Sequence, residues 1–204
     1  MSWNNVFVLE LHHSSDRIED RQIIMDATDA YTEKYGVPKE RRWTNDLIRG
    51  AKLKYLKLPP PGSPMLNTIK LEDKLMIVGH GTKKDLAGLS GEGLAKLLSE
   101  WGLQAVGLVT FKACHVGREK FLDEFIAGCT KHTIKAGWAK GYNGSAATTS
   151  NYHEEIFNPN YDDSVPDFLN EMRGQGEFLT GAARYRIVKG NAAGQIAERK
   201  RYKH

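Results

Sequence analysis

The stretch of sequence that decides the fold is residues 74–117, which read KLMIVGHGTKKDLAGLSGEGLAKLLSEWGLQAVGLVTFKACHVG. It holds two short apolar runs, residues 75–78 and 106–111, and the chain reaches His80 after the first and Cys114 after the second. Between the runs, leucines and a tryptophan recur at the offsets of an amphipathic helix. Strand, crossover helix and strand in this order predict two adjacent parallel strands.

The ends of these two strands are where we expect chemistry. Sites in open α/β sheets form outside the carboxyl ends of the strands, and His80 and Cys114 each follow such an end. Their separation of 34 residues (114 minus 80) is close to one crossover unit, which takes about 30 residues or more. The pattern therefore predicts an imidazole and a thiol side by side at one end of a sheet.

The rest of the chain extends this unit into an α/β fold. Residues 6–11 are β-branched and apolar, which favours a strand, and residues 133–139 predict a third parallel strand. Residues 185–198 predict a C-terminal β-hairpin around a glycine-rich turn. We expect a three-layer sandwich with a mainly parallel sheet of about five or six strands. Further elements are expected at a helix over residues 15–35, a short helix over residues 40–50 and a strand over residues 53–58.

Length and composition suit one soluble globular domain, residues 1–204. The chain is 40% hydrophobic and 26% charged and has two cysteines, too few for a disulfide framework, which fits a reducing compartment. No basic-then-apolar leader opens it, and no apolar run approaches the roughly 20 residues of a membrane span. We therefore expect no membrane span, and a location in the cytoplasm unless the protein is exported by a route that needs no signal peptide.

Positive charge is concentrated at the C-terminus. Residues 184–204 hold seven basic side chains and one acid, a charge of +6, which leaves −2 for the rest of a chain whose net charge is +4. Such a segment is either a solvated face or a site for an anion, while a nucleic acid is the less favoured partner. The candidate anion-binding residues are Lys189, Arg199, Lys200, Arg201 and Lys203.

The pairing of His80 with Cys114 suits nucleophilic catalysis. A thiolate attacks carbonyl groups, and a neighbouring imidazole takes its proton and later protonates the leaving amine. Gly81 has no side chain, so its N–H can approach a substrate, and the N–H of Cys114 can provide a second donor for the oxyanion. The candidate substrate-binding residues are Trp138, Tyr142 and Asn143, of which Trp138 is equally plausible in the core.

Other interpretations of the same residues stay open. A single cysteine after a strand is often a small buried hydrophobe. A zinc site could combine Cys114 and His115 with Cys129 and His132. A non-enzymatic domain would keep a vestigial His/Cys pair and bind anions or a partner through the basic segment. Acyl transfer to an amine would use the same chemistry as hydrolysis.

The motifs resemble those of a known group of enzymes. A strand ending in His80-Gly81, a helix and a strand ending in Ala113-Cys114 resemble the caspase-like cysteine peptidases. They are more similar still to the self-cleaving cysteine protease domain of bacterial toxins, with Gly-His-Gly at residues 79–81 and Ala-Gly at residues 87–88. The resemblance covers about residues 75–144, so the catalytic half is placed at about residues 70–145 and the basic hairpin at about residues 184–204.

The resemblance implies specific roles and partners. Cys114 would be the nucleophile and His80 the base, with an oxyanion hole from the N–H groups of Gly81 and Cys114. It implies a bacterial toxin or effector that is secreted without a signal peptide into a host cytoplasm and cleaves itself or a host protein. It also implies an inositol hexakisphosphate activator held by a basic C-terminal β-flap, with no cofactor required for the chemistry itself.

Overall fold

A computed structural model of the chain describes residues 3–51, 54–148, 154–156 and 181–196. The strands are β1 (Val6–Glu10), β2 (Arg42–Thr44), β3 (Leu56–Lys57), β4 (Lys74–Val78), β5 (Asp85–Leu86), β6 (Leu89–Ser90), β7 (Ala105–Lys112), β8 (Lys135–Tyr142), β9 (Ala146–Thr148), β10 (Glu154–Ile156) and β11 (Tyr185–Lys189). The α-helices are α1 (Ile18–Lys34), α2 (Leu47–Ala51), α3 (Gly91–Glu100) and α4 (Phe121–Lys131). Short 3₁₀ turns lie at Lys39–Arg41, Gly181–Arg184 and Ala193–Gln195.

A seven-stranded sheet forms the centre of the described structure. Its strand order is β11-β8-β7-β4-β1-β2-β3, and every pairing except that of β11 with β8 is parallel. Two small antiparallel pairs, β5 with β6 and β9 with β10, lie outside it. The predicted mainly parallel α/β architecture is confirmed, with seven strands in place of the expected five or six.

Apolar side chains on both faces of the sheet explain why helices cover it. On one face the main cluster includes Val109 and Phe111 of β7, with Phe121 and Phe125 of α4 edge-on to the Phe111 ring. On the other face α1 packs against β1 and β4, where Ile24 is among the buried residues. This arrangement is compatible with a three-layer fold.

Helix α3 is the crossover helix that the sequence predicts. Ser90 caps its start, because the Ser90 side chain accepts a hydrogen bond from the N–H of Gly93 at 3.1 Å. The helix buries Leu94 and Leu98 and ends before Gly102, which adopts a positive φ of 81°. It therefore returns the chain to the start of β7, beside β4.

Two expectations about local structure need correction. The short helix expected over residues 40–50 is replaced by a 3₁₀ turn, strand β2 and helix α2, because residues 42–44 gain a parallel partner in β1. The expected C-terminal hairpin is absent from the described residues. Residues 185–189 do form a strand, but it pairs with β8, and a 3₁₀ turn occupies Ala193–Gln195 where the return strand was to begin.

No helix in the described part of the chain is long and apolar enough to cross a membrane.

Candidate active site

The catalytic candidates occupy matching positions on neighbouring strands. Parallel pairing of β4 with β7 sets Val78 opposite Lys112, and the N–H of Gly79 contacts the carbonyl of Lys112 at 3.4 Å. His80 and Cys114 each lie two residues beyond that last pair. The two residues thus leave the sheet together at its carboxyl end, as the crossover pattern predicts.

Gly81 lets the two loops touch. A Cβ atom at this position would lie 2.6 Å from the carbonyl oxygen of Cys114, and 2.8 Å from both Cβ of Ala113 and Cγ1 of Val116. Real Cβ atoms essentially never come so close. Only glycine allows the backbone after His80 to lie directly against the backbone of Cys114.

The small hairpin of β5 and β6 supports the loop that carries His80. Gly81 bridges to Leu86, and the N–H of Ala87 donates to the carbonyl of His80 at 2.8 Å. Ala87 adopts a positive φ of 50°, a conformation that bulky residues disfavour. Two backbone contacts therefore fix the position of His80 relative to the sheet.

The imidazole of His80 lies beside an acid that sequence reasoning missed. Its Nε2 is 3.9 Å from Oδ1 of Asp20 and has no hydrogen-bond partner among the described residues, while the side chain as a whole is 42% exposed. Arg17 hydrogen-bonds the Asp20 carboxylate through Nε at 3.0 Å and holds the pKa of Asp20 below its usual value. An ionised carboxylate thus faces the ring.

The sequence signal at Asp20 is that of a helix start. Asp20 and Arg17 form the capping box at the start of α1, a local pattern with a three-residue spacing. Its nearness to His80, 60 residues away, depends on how α1 crosses the end of the sheet. Local pattern alone therefore indicates a helix start and not an active-site acid.

The sulfur of Cys114 is engaged by backbone from strand β9. The N–H of Ala146 donates to Sγ at 3.3 Å, and Sγ lies 3.9 Å from the carbonyl oxygen of the same residue. Cys114 is partly exposed, whereas Cys129 of α4 is fully buried. Burial raises the pKa of the Cys129 thiol to about 12, so only Cys114 combines access with hydrogen bonding.

The three expected substrate contacts have different environments. Trp138 is buried in a cluster with Trp3 and Leu108, in the middle of β8 and away from its carboxyl end. Tyr142 ends β8 and is buried, with its hydroxyl 2.9 Å from Nζ of Lys112. Asn143 follows and donates from Nδ2 to the carbonyl of Ala183 at 2.9 Å. Their roles as substrate contacts stay predictions.

Most of the basic segment lies beyond what the structure describes. Lys189 is exposed at the end of β11. Arg199, Lys200, Arg201 and Lys203 lie outside the described residues.

The zinc alternative finds no support in the described residues. No group of three or more histidine, cysteine or acidic side chains there could hold a metal ion. His115 instead pairs its Nε2 with Oγ of Ser145 at 3.0 Å. Cys129 faces the core from α4.

A cavity of about 440 Å³ opens near the same end of the sheet. Its walls are mostly apolar and include Leu11, Leu97 and Trp101, together with Ala87 of the hairpin that holds His80. This volume lies within the range of small-molecule pockets. The cavity can accommodate an apolar group next to the candidate catalytic loop.

Comparison with known proteins finds no family model that matches the chain. No curated protein matches it significantly either.

Proposed function

We propose that the protein is a cysteine peptidase of the caspase-like type, with Cys114 as nucleophile and His80 as base. One observation carries this proposal. A partly exposed cysteine and a histidine follow adjacent parallel strands at the same register, and a glycine lies at the contact between their loops. A structural cysteine and an unrelated loop histidine would not require the two loops to lie in contact at a glycine.

The reaction follows from the residue types. The thiol gives its proton to His80, and the sulfur bonds to the carbonyl carbon of the substrate peptide. The N–H groups of Gly81 and Cys114 would stabilise the oxyanion. His80 then protonates the leaving amine as the C–N bond breaks. Water hydrolyses the thioester, which releases the new carboxylate and restores the thiol.

Asp20 acts in this proposal as a positioning residue. Its ionised carboxylate lies 3.9 Å from Nε2 of His80, close enough to orient the ring and to stabilise it when protonated. Asp20→Asn keeps the size of the side chain and removes the charge. We expect kcat to fall about fivefold with KM unchanged, because Asp20 stabilises the protonated imidazole by about 1 kcal/mol, and that form arises only after proton transfer.

The decisive experiment uses Cys114. Wild type and Cys114→Ala are incubated with a peptide library and, separately, alone, and products are identified by mass spectrometry. We expect cleavage, including self-cleavage, only with the wild type. Cleavage that survives Cys114→Ala would eliminate the assignment. Cys129→Ala is the matched control and is expected to retain activity.

The natural setting forms part of the same proposal. By resemblance, the protein is a bacterial toxin or effector that acts on itself or on a host protein and responds to inositol hexakisphosphate. Exposed Lys189 would contribute to the anion site, together with the basic residues beyond the described chain. Thermal stabilisation by inositol phosphates without any Cys114-dependent cleavage would favour the alternative of a non-enzymatic anion-binding domain.

A further inference from the structure

The thiol of Cys114 is held at the edge of strand β9. Both the N–H and the C=O of Ala146 lie near Sγ, at 3.3 Å for the nitrogen and 3.9 Å for the oxygen. In an extended strand, the N–H and C=O of one residue point in the same direction within the plane of the sheet. The sulfur therefore lies beside β9, close to the plane of its peptide groups.

The contact with sulfur does not use the backbone groups through which β9 hydrogen-bonds to β10. Strand β9 runs antiparallel to β10, with Ala146 opposite Ile156 and Ala147 opposite Glu155. Because the polar backbone groups of Ala146 face the sulfur, its pair with Ile156 is the non-hydrogen-bonded kind. The edge of β9 that faces away from β10 thus supplies the donor and the acceptor that contact the thiol.

His115, the residue after the candidate nucleophile, anchors the same segment. Its N–H donates to the carbonyl of Gly144 at 3.0 Å, and its Nε2 pairs with Oγ of Ser145 at 3.0 Å. His115 adopts a positive φ of 57°, which turns the chain sharply after Cys114. Residues 144–146 are therefore tied to residues 114–115 at three consecutive positions.

The resulting geometry does not suit attack on a substrate. Attack requires the reacting carbonyl carbon about 3–3.5 Å from sulfur and aligned with its lone pair. Here the side of the sulfur that β9 covers is occupied by backbone polar groups. Meanwhile Nε2 of His80 lies beside Asp20 and has no hydrogen bond to the thiol. The candidate base is therefore not hydrogen-bonded to the candidate nucleophile.

We propose that residues 144–146 form an inhibitory latch that holds Cys114 in a resting state. The inference rests on the proposed peptidase function and adds its regulation. Release requires β9 to move away from the sulfur, and no covalent bond forms or breaks. The proton that the thiol directs toward Ala146 in the latched state then becomes available to His80.

The test measures how fast iodoacetamide alkylates Cys114 in the full chain, read by peptide mapping. Ala146→Pro removes the N–H that contacts sulfur and leaves the β9–β10 hydrogen bonds in place. We expect alkylation about three- to tenfold faster, the range set by the net worth of one hydrogen bond.

Two further variants make the measurement specific. Thr148→Pro is the matched control. Thr148 lies two residues after Ala146 on the same strand and, like Ala146, forms a non-hydrogen-bonded pair with β10, opposite Glu154. We expect this variant to be alkylated at the wild-type rate. Ser145→Ala removes the anchor to His115 without touching the β9 backbone, and we expect alkylation about twofold faster. It also tests the latch if the proline variant does not fold.

The outcomes separate the latch from the peptidase. Slower alkylation in Ala146→Pro would mean that the N–H of Ala146 activates the thiolate. An unchanged rate in both Ala146→Pro and Ser145→Ala would mean that residues 144–146 do not restrain the thiol. Either result overturns the latch. Absence of Cys114-dependent cleavage from every variant would overturn the peptidase, whatever the labelling rates. If both proposals hold, the variants that label faster also cleave faster.

Discussion

Replacing Gly81 with alanine perturbs the contact on which the candidate site depends. The added Cβ would lie 2.6 Å from the carbonyl oxygen of Cys114, whereas ordinary van der Waals contact begins at 3.4 Å. The loops after β4 and β7 must therefore part by about 0.8 Å (3.4 minus 2.6), and the obstacle is backbone, which cannot rotate away as a flexible side chain could. Overpacking of this kind costs about 1–3 kcal/mol.

Two measurements follow from that estimate. For a protein of this size, about 2–4 °C of Tm is lost per kcal/mol, so Gly81→Ala should melt about 2–12 °C below wild type by calorimetry. A displacement of nearly 1 Å at a catalytic contact costs on the order of a hundredfold in rate. We therefore expect peptide cleavage to fall about a hundredfold while most of the protein remains folded at 25 °C.

The control for this prediction is Gly194→Ala. A Cβ at Gly194 meets nothing within 4 Å, and its φ lies outside the left-handed region, so the free energy of unfolding should change by less than about 0.5 kcal/mol. A Gly81→Ala variant with wild-type Tm would refute the close contact between the loops. Equal destabilisation by the two substitutions would refute the steric argument.

Three further predictions concern other parts of the molecule. Glu10 is fully buried, with Oε2 2.9 Å from Nε of Arg49, so Glu10→Gln should lower the free energy of unfolding in urea by about 3–5 kcal/mol; a loss below 1 kcal/mol would show that the pair contributes little. Cys129, whose buried thiol has a pKa raised to about 12, should resist alkylation at pH 8 in the native protein and react only after denaturation, and labelling at a rate similar to that of Cys114 would contradict its burial. Burial of Asp46 opposes its ionisation, but hydrogen bonds from the N–H of Arg49 and the guanidinium of Arg21 outweigh burial and lower the pKa of Asp46, as Arg17 lowers that of Asp20. Both carboxylates therefore contribute stability above pH about 4 that is lost as pH falls through their folded values, so unfolding free energies at pH 5 and pH 3 should differ less in Asp46→Asn than in wild type.

Some parts of the fold could not be predicted from sequence patterns, because they depend on which strands pair with each other. Strand β2 has only three residues, and it is a strand because β1 provides a parallel partner from Val8 to Glu10. The predicted C-terminal hairpin is absent from the described residues, where residues 185–189 pair with β8 and a 3₁₀ turn occupies Ala193–Gln195. Alternating apolar residues indicate that a strand exists, but they do not identify the strand with which it pairs.

The sequence by itself determined the central unit of this protein. An apolar run, an amphipathic helix and a second apolar run admit few connections, because two strands joined by a crossover helix run parallel and usually lie side by side. Parallel strands end on the same side of the sheet, so this unit places His80 and Cys114 at the same end.

Only the tertiary structure decided which groups surround those two side chains. Asp20 reaches His80 from 60 residues away, and Ala146 reaches the sulfur of Cys114 from 32 residues away. Neither contact has a periodicity or a motif, because each depends on where a helix or a loop crosses the end of the sheet. Local preferences act over a few residues, whereas such contacts arise from the packing of the whole domain.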